Sequence, residues 1–339
     1  MAEPKMITRR TVLGSSALLA SSATLLTSPA TASNGSLNEA GFQTLGEIDQ
    51  WVSIRGRSAR NPVVLIIHGG PGEAQSPLSA LYTSDWEKFF TVVQWDQRGS
   101  GRTFGRNREA DLSAERLVHD GIELGERLKN RFGRRPILIG HSWGSYLAGR
   151  IAKSRPDLFT ALVGTGQLSS WRRLIRDELA FATARAQATA NAEALAALQA
   201  LNADALASNG PYFDLRRWLN LYLAPTDIAW SDAMHHNIEV AAGMTPQDAK
   251  DWQEGLFFSF SRLGSTVSQI DMSDVGFAYD IPYVLLHGRD DYVASAKAAM
   301  DYFNKVRAPS KRARLIDGGH YAMMTHSNEF LRNLVRHTG

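Results

Sequence analysis

Residues 137 to 145 read Ile-Leu-Ile-Gly-His-Ser-Trp-Gly-Ser. Together with Pro136, the first three form a short and almost wholly apolar run, the signature of a parallel strand buried on both faces. Tyr146-Leu147-Ala148-Gly149-Arg150-Ile151-Ala152, which follow, have helical character. Between them, Gly140-His141-Ser142-Trp143-Gly144 fits a turn that leaves a strand and enters a helix so sharply that its central residue is strained. Side chains two positions to either side would clash there, and Gly140 and Gly144 carry none. The context is that of a nucleophile elbow with Ser142 at its tip. The bland alternative is a glycine-rich turn with an incidental serine, and the strand before it and helix after it argue against that.

A nucleophilic serine needs a base, an orienter for the base, and donors for the oxyanion. In sheet folds that carry such an elbow, the acid and then the histidine follow the serine along the chain. Pro282 to Asp291 read Pro-Tyr-Val-Leu-Leu-His-Gly-Arg-Asp-Asp, a buried strand ending in a turn with two carboxylates. Asp291, three residues after the glycine, is the expected acid; Asp290 is the solvent-facing neighbour. Ala313 to His320 read Ala-Arg-Leu-Ile-Asp-Gly-Gly-His, a final strand running into two glycines and the expected base, His320. His326 is the near rival, but it lies just ahead of Ser327, where capping of the last helix explains the neighbourhood. His287, His235, His236 and His337 read as ordinary strand-end, exposed or helical residues.

The oxyanion donors come from the elbow and from a second loop. Val63 to Gly72 read Val-Val-Leu-Ile-Ile-His-Gly-Gly-Pro-Gly, a buried strand entering a loop whose backbone can approach a ligand closely. The N–H groups of Gly70 and Trp143 are therefore assigned to the oxyanion hole. A phosphate-binding loop is excluded because no Lys-Ser/Thr follows the glycines and Pro71 has no N–H. This chemistry calls for no cofactor, and no histidine and carboxylate cluster has metal-ligand spacing.

His68-Gly69-Gly70-Pro71-Gly72, then Trp95-Asp96-Gln97-Arg98-Gly99-Ser100-Gly101-Arg102, then Ser142-Trp143-Gly144 together resemble the proline iminopeptidases of the α/β-hydrolase fold. The resemblance runs from about Phe42 to the end of the chain, except its middle third. It implies a serine peptidase or related hydrolase acting on small substrates, with Ser142, Asp291 and His320 as the triad and Gly70 and Trp143 as oxyanion donors. In that family the middle insertion carries a Trp-x-x-Trp-Glu element whose glutamate holds the substrate's free amino group. No such element is present here. Trp252-Gln253-Glu254 is the nearest acidic and aromatic cluster, which makes Glu254 the substrate-binding candidate.

At 339 residues and 44% hydrophobic, the chain can bury a sizeable core. Of its net charge of +3, Lys5, Arg9 and Arg10 against Glu3 lie in a removable leader, so the remainder carries +1 and gives no electrostatic case for nucleic acid. The absence of cysteine excludes disulfides, thiolate metal sites, a cysteine nucleophile and a lipidated cysteine. Thr8-Arg9-Arg10-Thr11-Val12-Leu13, the apolar stretch from Gly14 to Leu26, and Ala30-Thr31-Ala32 resemble a twin-arginine export signal over residues 1–32. That stretch is too short and too rich in Ser and Thr to span a bilayer, so no stable membrane anchor is expected in the mature chain. The expected partner is the twin-arginine export machinery and the expected location periplasmic or secreted.

Strand-like runs alternate with helical ones through the rest. Ser113 is a fair N-cap for a helix over Ala114 to Arg131. Such alternation implies a mostly parallel, doubly wound sheet with its site at the carboxyl ends of the strands. The expected organisation is a core over 33–168, a helical cap over 169–269 with an Ala-rich start and then aromatic helices, and the rest of the core over 270–339. The function expected is an acyl-enzyme hydrolase on small-molecule or short-peptide substrates. An esterase or lactonase on neutral acyl substrates is the alternative, and a non-catalytic binding protein on the same fold is a third. Epoxide hydrolase and dehalogenase chemistry falls, because those enzymes use an aspartate where this chain has Ser142.

Overall fold

The middle of the sheet is built from short segments that are buried on both faces. In the computed structural model, which describes residues 35–208, 212–235, 238, 241 and 243–338, the chain opens with a hairpin of β1 (Leu37–Leu45) and β2 (Ile48–Gly56). Then come β3 (Val63–Ile67), β4 (Thr91–Trp95), β5 (Ile137–His141), β6 (Ala161–Thr165) and β7 (Tyr283–Gly288), every residue of which is buried. β8 (Lys311–Ile316) closes the edge with alternating exposure, as expected of a strand with one wet side. The eight strands are ordered β1-β2-β4-β3-β5-β6-β7-β8. Only β1–β2 and β2–β4 run antiparallel; every other pairing is parallel. β5 is central, with Leu138 registered against Leu65 of β3 on one side and Leu162 of β6 on the other.

Helices cover both faces. α1 (Gly101–Arg106) follows β4, and α2 (Ala114–Phe132) starts where Ser113 accepts the N–H of Arg116 and stops at Gly133, which has a left-handed φ of 63°. α3 (Trp143–Ser154) leaves the elbow. Ser170 and Asp271 pair as an isolated bridge, and between them every regular element among the described residues is a helix. The long elements there are α4 (Trp171–Ala188), α5 (Tyr212–Leu219), α6 (Pro225–His235) and α7 (Pro246–Ser268). α7 begins with a capping box in which Thr245 and Asp248 satisfy each other's backbone N–H. The leader expected over residues 1–32 lies outside the described residues, as does His236.

Contacts between α7 and the sheet explain two of the glycine-rich motifs. Trp252, fully buried, donates its indole N–H to the carbonyl of Ala74 at 2.7 Å, and Ser259 donates to the carbonyl of Gly99 at 2.8 Å. A Cβ at Gly72 would stand 2.8 Å from the Ser259 Cβ, and one at Gly105 would stand 2.1 Å from Asp251. These positions are glycine because α7 lies directly on the loop after β3 and on α1, which follows β4.

Candidate active site

The elbow has the geometry its sequence demands. Ser142 sits at φ 54° and ψ −125°, a positive φ rare for a residue with a side chain. A Cβ on Gly140 would stand 2.5 Å from the carbonyl oxygen of Gly144, and one on Gly144 would stand 2.1 Å from that of Ile67. No side chain fits at either place, so both glycines are required for β5 to turn into α3.

The structure brings Ser142, Asp291 and His320 together. His320 Nε2 lies 3.0 Å from Ser142 Oγ, and its Nδ1 lies 3.0 Å from Asp291 Oδ2. The other Asp291 oxygen accepts the backbone N–H groups of Val293 at 2.9 Å and Ala294 at 2.7 Å. Burial pushes the Asp291 carboxyl up, but the charge of His320 and the hydrogen bonds from His287 and His320 outweigh it and hold Asp291 well below the carboxylate range. The same pair read from the other side has burial opposing the imidazolium and Asp291 favouring it; the net effect raises His320 above its ordinary value. Asp290 is exposed, one residue away and outside this cluster. His326 is placed elsewhere, its Nδ1 3.0 Å from Thr325 Oγ1, and Ser327 is itself the first residue of the last helix, Ser327–Thr338.

Four histidine and carboxylate contacts escape sequence reasoning. His287, read above as an ordinary strand-end residue, is fully buried. Its Nδ1 accepts the N–H of Gln167 at 3.1 Å, which leaves the proton on Nε2, 2.9 Å from the Ala294 carbonyl and 3.2 Å from Asp291 Oδ2. His141 accepts from Gln75 at 3.1 Å on Nδ1 and donates from Nε2 to the carbonyl of His320 at 3.1 Å; burial pushes its pKa down to about 3, so it is neutral. Beneath the loop that carries Gly70, His68 Nε2 accepts the N–H of Gln97 at 3.2 Å, and the Gln97 side chain donates to the His68 carbonyl at 3.0 Å. Asp227, at the start of α6, accepts the backbone N–H of His320 at 2.7 Å and that of Tyr321 at 3.3 Å. A Cβ on Gly319 would stand 2.0 Å from Asp227 Oδ2, so that glycine makes room for a carboxylate arriving from a distant helix. A strand-end spacing hinted at His287, four residues before Asp291. Nothing in the sequence marked Asp227.

Ser142 and His320 open onto a cavity of about 470 Å³. Its floor includes Gly70, and its walls come from α5, α6 and α7, with Tyr212, Phe213, Arg216, Asp232, His235, Phe257 and Phe260 among them. Trp143 lies at the start of α3, where a backbone N–H has no acceptor inside the helix. Glu254 is not among the cavity-lining residues; it pairs with Arg108 and with Lys250, 3.7 Å away, on the outer side of α7. The carboxylates that do line the cavity are Glu73 and Asp232. Glu73, three residues beyond Gly70, has Oε1 3.4 Å from His235 Nε2. Burial would push Glu73 up, but the hydrogen bond from His235 and the charges of the nearby histidines outweigh it and hold Glu73 below its usual range. Among the described residues, no group of three or more His, Asp and Glu is arranged to hold a metal ion, and no helix is long and apolar enough to cross a membrane.

The model of the alpha/beta hydrolase family matches residues 63–333. The chain is 25% identical over 311 residues to the probable aminopeptidase YbaC of Bacillus subtilis (strain 168), a match that covers 87% of this chain and 94% of that protein. It is 37% identical over 105 residues to a probable proline iminopeptidase of Streptomyces coelicolor (strain ATCC BAA-471 / A3(2) / M145), covering 30% of this chain and 32% of that one. Among solved structures, a proline iminopeptidase-related protein from Thermus thermophilus superposes with a TM-score of 0.58 at 21% identity, over 89% of this chain and 98% of that chain.

Proposed function

The chain belongs to the alpha/beta hydrolase family, and from that premise we propose that it is a serine hydrolase working through an acyl-enzyme on small substrates. Ser142 Oγ attacks the acyl carbonyl while His320 Nε2 takes its proton; His320 then gives that proton to the departing amine or alcohol. Asp291 holds the imidazole in the tautomer that leaves Nε2 free, and the N–H groups of Gly70 and Trp143 receive the oxyanion. Water then attacks the acyl-enzyme by the same route in reverse. The observation that carries this reading is the unbroken run of contacts, Asp291 to His320 to Ser142, each 3.0 Å, ending at a cavity wall.

Names of similar proteins favour an aminopeptidase or proline iminopeptidase. The position of Glu254, outside the cavity, favours the alternative of an esterase or lactonase that needs no substrate amino group. Export through the twin-arginine machinery to the periplasm or beyond remains part of the proposal, resting on Arg9-Arg10 and the apolar stretch behind them. The deciding experiment is Ser142→Ala together with a fluorophosphonate label. The variant is expected to fold, to lose several orders of magnitude in turnover, and to lose the label. Near wild-type turnover in the variant, or labelling at another residue, would overturn the mechanism.

A further inference from the structure

The cavity wall holds an arginine, Arg216, that meets its carboxylate partner through a single prong. Arg216 on α5 donates from Nη1 to Glu178 Oε1 at 2.8 Å, and no other hydrogen bond between these two side chains is present. Arg98 and Asp120, a pair buried within the core, use both forks: Nε to Oδ2 at 2.9 Å and Nη2 to Oδ1 at 3.1 Å. Arg155 and Asp157 do the same on the surface. Two-pronged contact is how a guanidinium and a carboxylate best neutralise each other. The Arg216 pair gives that up. Its carboxylate is wholly buried, with Glu178 Oε2 left without any partner, while the Arg216 side chain is 21% exposed and is among the residues lining the Ser142 cavity. Glu178 therefore occupies one prong of an arginine that lines the Ser142 cavity, and the guanidinium has further N–H donors to offer a ligand there.

We propose that Arg216 anchors a carboxylate carried by the substrate, so that the enzyme selects acyl compounds or short peptides bearing one negative charge. This rests on the reading of Ser142 as the nucleophile of that cavity. The other charged groups there set the size of the anion. Glu73 and His235 stand 3.4 Å apart, and Arg216 is the one arginine or lysine among the described residues lining the cavity, so a single guanidinium is available and a monoanion is the matching charge. Burial pushes Glu178 up, against the pull of Arg216. Tyr212, Phe213, Phe257 and Phe260 also wall an adjoining apolar pocket of about 420 Å³ that reaches Trp171 and Leu206. The rest of the substrate is accordingly apolar, and an aryl carboxylate is the matched probe.

Two measurements decide the matter. The first compares kcat/KM for the 4-nitrophenyl monoester of glutarate with that for 4-nitrophenyl butyrate, each corrected for its uncatalysed rate. Wild type is expected to favour the charged ester about ten- to a hundredfold, the reach of a hydrogen bond between charged partners, with the gain in KM rather than kcat. Arg216→Gln should bring the ratio to about one, and Arg216→Lys should restore part of it. Because Arg216→Gln strands Glu178, the paired variant Glu178→Gln with Arg216→Gln repeats the test without an unpaired buried charge, and the ratio should collapse there as well. Glu178→Gln alone should keep the preference, which a merely structural ion pair would not. The second measurement is calorimetric binding of 4-phenylbutyrate against 4-phenylbutyramide, which needs no turnover. Wild type should bind the acid at least tenfold more tightly, and the paired variant should bind both alike. Should neither ester be hydrolysed, the nucleophile assignment fails and the calorimetry alone decides the anchor. An absent preference for the acid in wild type, or one that survives in the paired variant, overturns the proposal.

Discussion

Sheet core and helical cap contribute to the same cavity under different physical constraints. In the core, Ser142, Asp291 and His320, the groups proposed to react, stand at the carboxyl ends of β5, β7 and β8, where strand register and close backbone approach leave few solutions. Gly140, Gly144 and Gly319 are each fixed by an atom within 2.5 Å of where a side chain would begin. In the cap, the wall residues sit on helices that need only an apolar face and a cap, and their outward groups can change without unfolding anything. On the proposed mechanism, chemistry is thus tied to the core and selectivity to the cap. Asp227 is the exception, because it is a cap residue that holds the backbone of His320.

The largest test of that division separates two adjacent carboxylates. Asp291→Asn keeps the shape but favours the wrong histidine tautomer, so turnover should fall on the order of 10⁴-fold. Asp290→Asn, at an exposed position, should change turnover by less than about threefold, as surface substitutions generally do little. Steady-state kinetics on the two variants suffices. If Asp290→Asn proves the damaging one, the core register is misassigned.

Asp227 tests the exception. Asp227→Ala leaves the buried N–H of His320 without its acceptor, which should cost about 1–3 kcal/mol of stability by thermal or denaturant unfolding. It should also displace the histidine, lowering kcat on the order of 10²-fold while KM moves little. A variant with full kcat and lowered stability would show that α6 braces the loop without placing the imidazole, and the cap would then supply selectivity alone.

The pH profile tests the core by itself. Only neutral His320 can take the serine proton, so kcat/KM should rise with pH and level off above the histidine's pKa. Because Asp291 raises that pKa, the midpoint should lie above the value of about 6.5 usual for histidine. Measured on the residual activity of Asp291→Asn, the midpoint should move to lower pH. A midpoint that stays put would remove Asp291 as the group acting on His320.

The same division decides what was legible in the amino-acid sequence. Ser142 and Asp291 each close a short buried strand, and His320 follows the alternating edge strand β8; each has a glycine nearby, so strand pattern and turn chemistry point at them directly. The loop that carries Gly70 was legible for the same reason, since β3 is a continuous apolar run. The loop from Asp96 to Arg102 was recognisable as a motif but not explained. Its work is to brace His68 through Gln97 and to let α7 approach at Gly99, and both need the folded chain. The cap gave only its helicity and its aromatics. Asp227, Glu73, His235 and Arg216 meet the site across long sequence separations, with no local rule to mark them. Glu254 illustrates the failure. An acidic residue beside a tryptophan on a helix suggests a shared face, yet Trp252 points to the Ala74 carbonyl while Glu254, two positions on, is turned outward to Arg108.

The smallest expected effect follows from that helical geometry. Residues two apart on a helix are about 200° apart around its axis, so a fully buried Trp252 leaves Glu254 away from the cavity. Glu254→Gln should therefore change kcat/KM for a proline arylamide by less than about twofold, since partly exposed pairs with Arg108 and Lys250 are worth little. If the enzyme does require a substrate ammonium, Glu73 is the carboxylate placed to meet it, and Glu73→Gln should then cost the proline arylamide far more than it costs a neutral ester of the same leaving-group class. The comparison to make is the ratio of the two substrates in wild type, Glu254→Gln and Glu73→Gln, each rate corrected for its uncatalysed background. A ratio unmoved by either substitution places the enzyme with the esterases. A ratio moved only by Glu254→Gln would mean that α7 turns in the substrate complex, and the cap would then be a moving part of the site rather than a fixed wall.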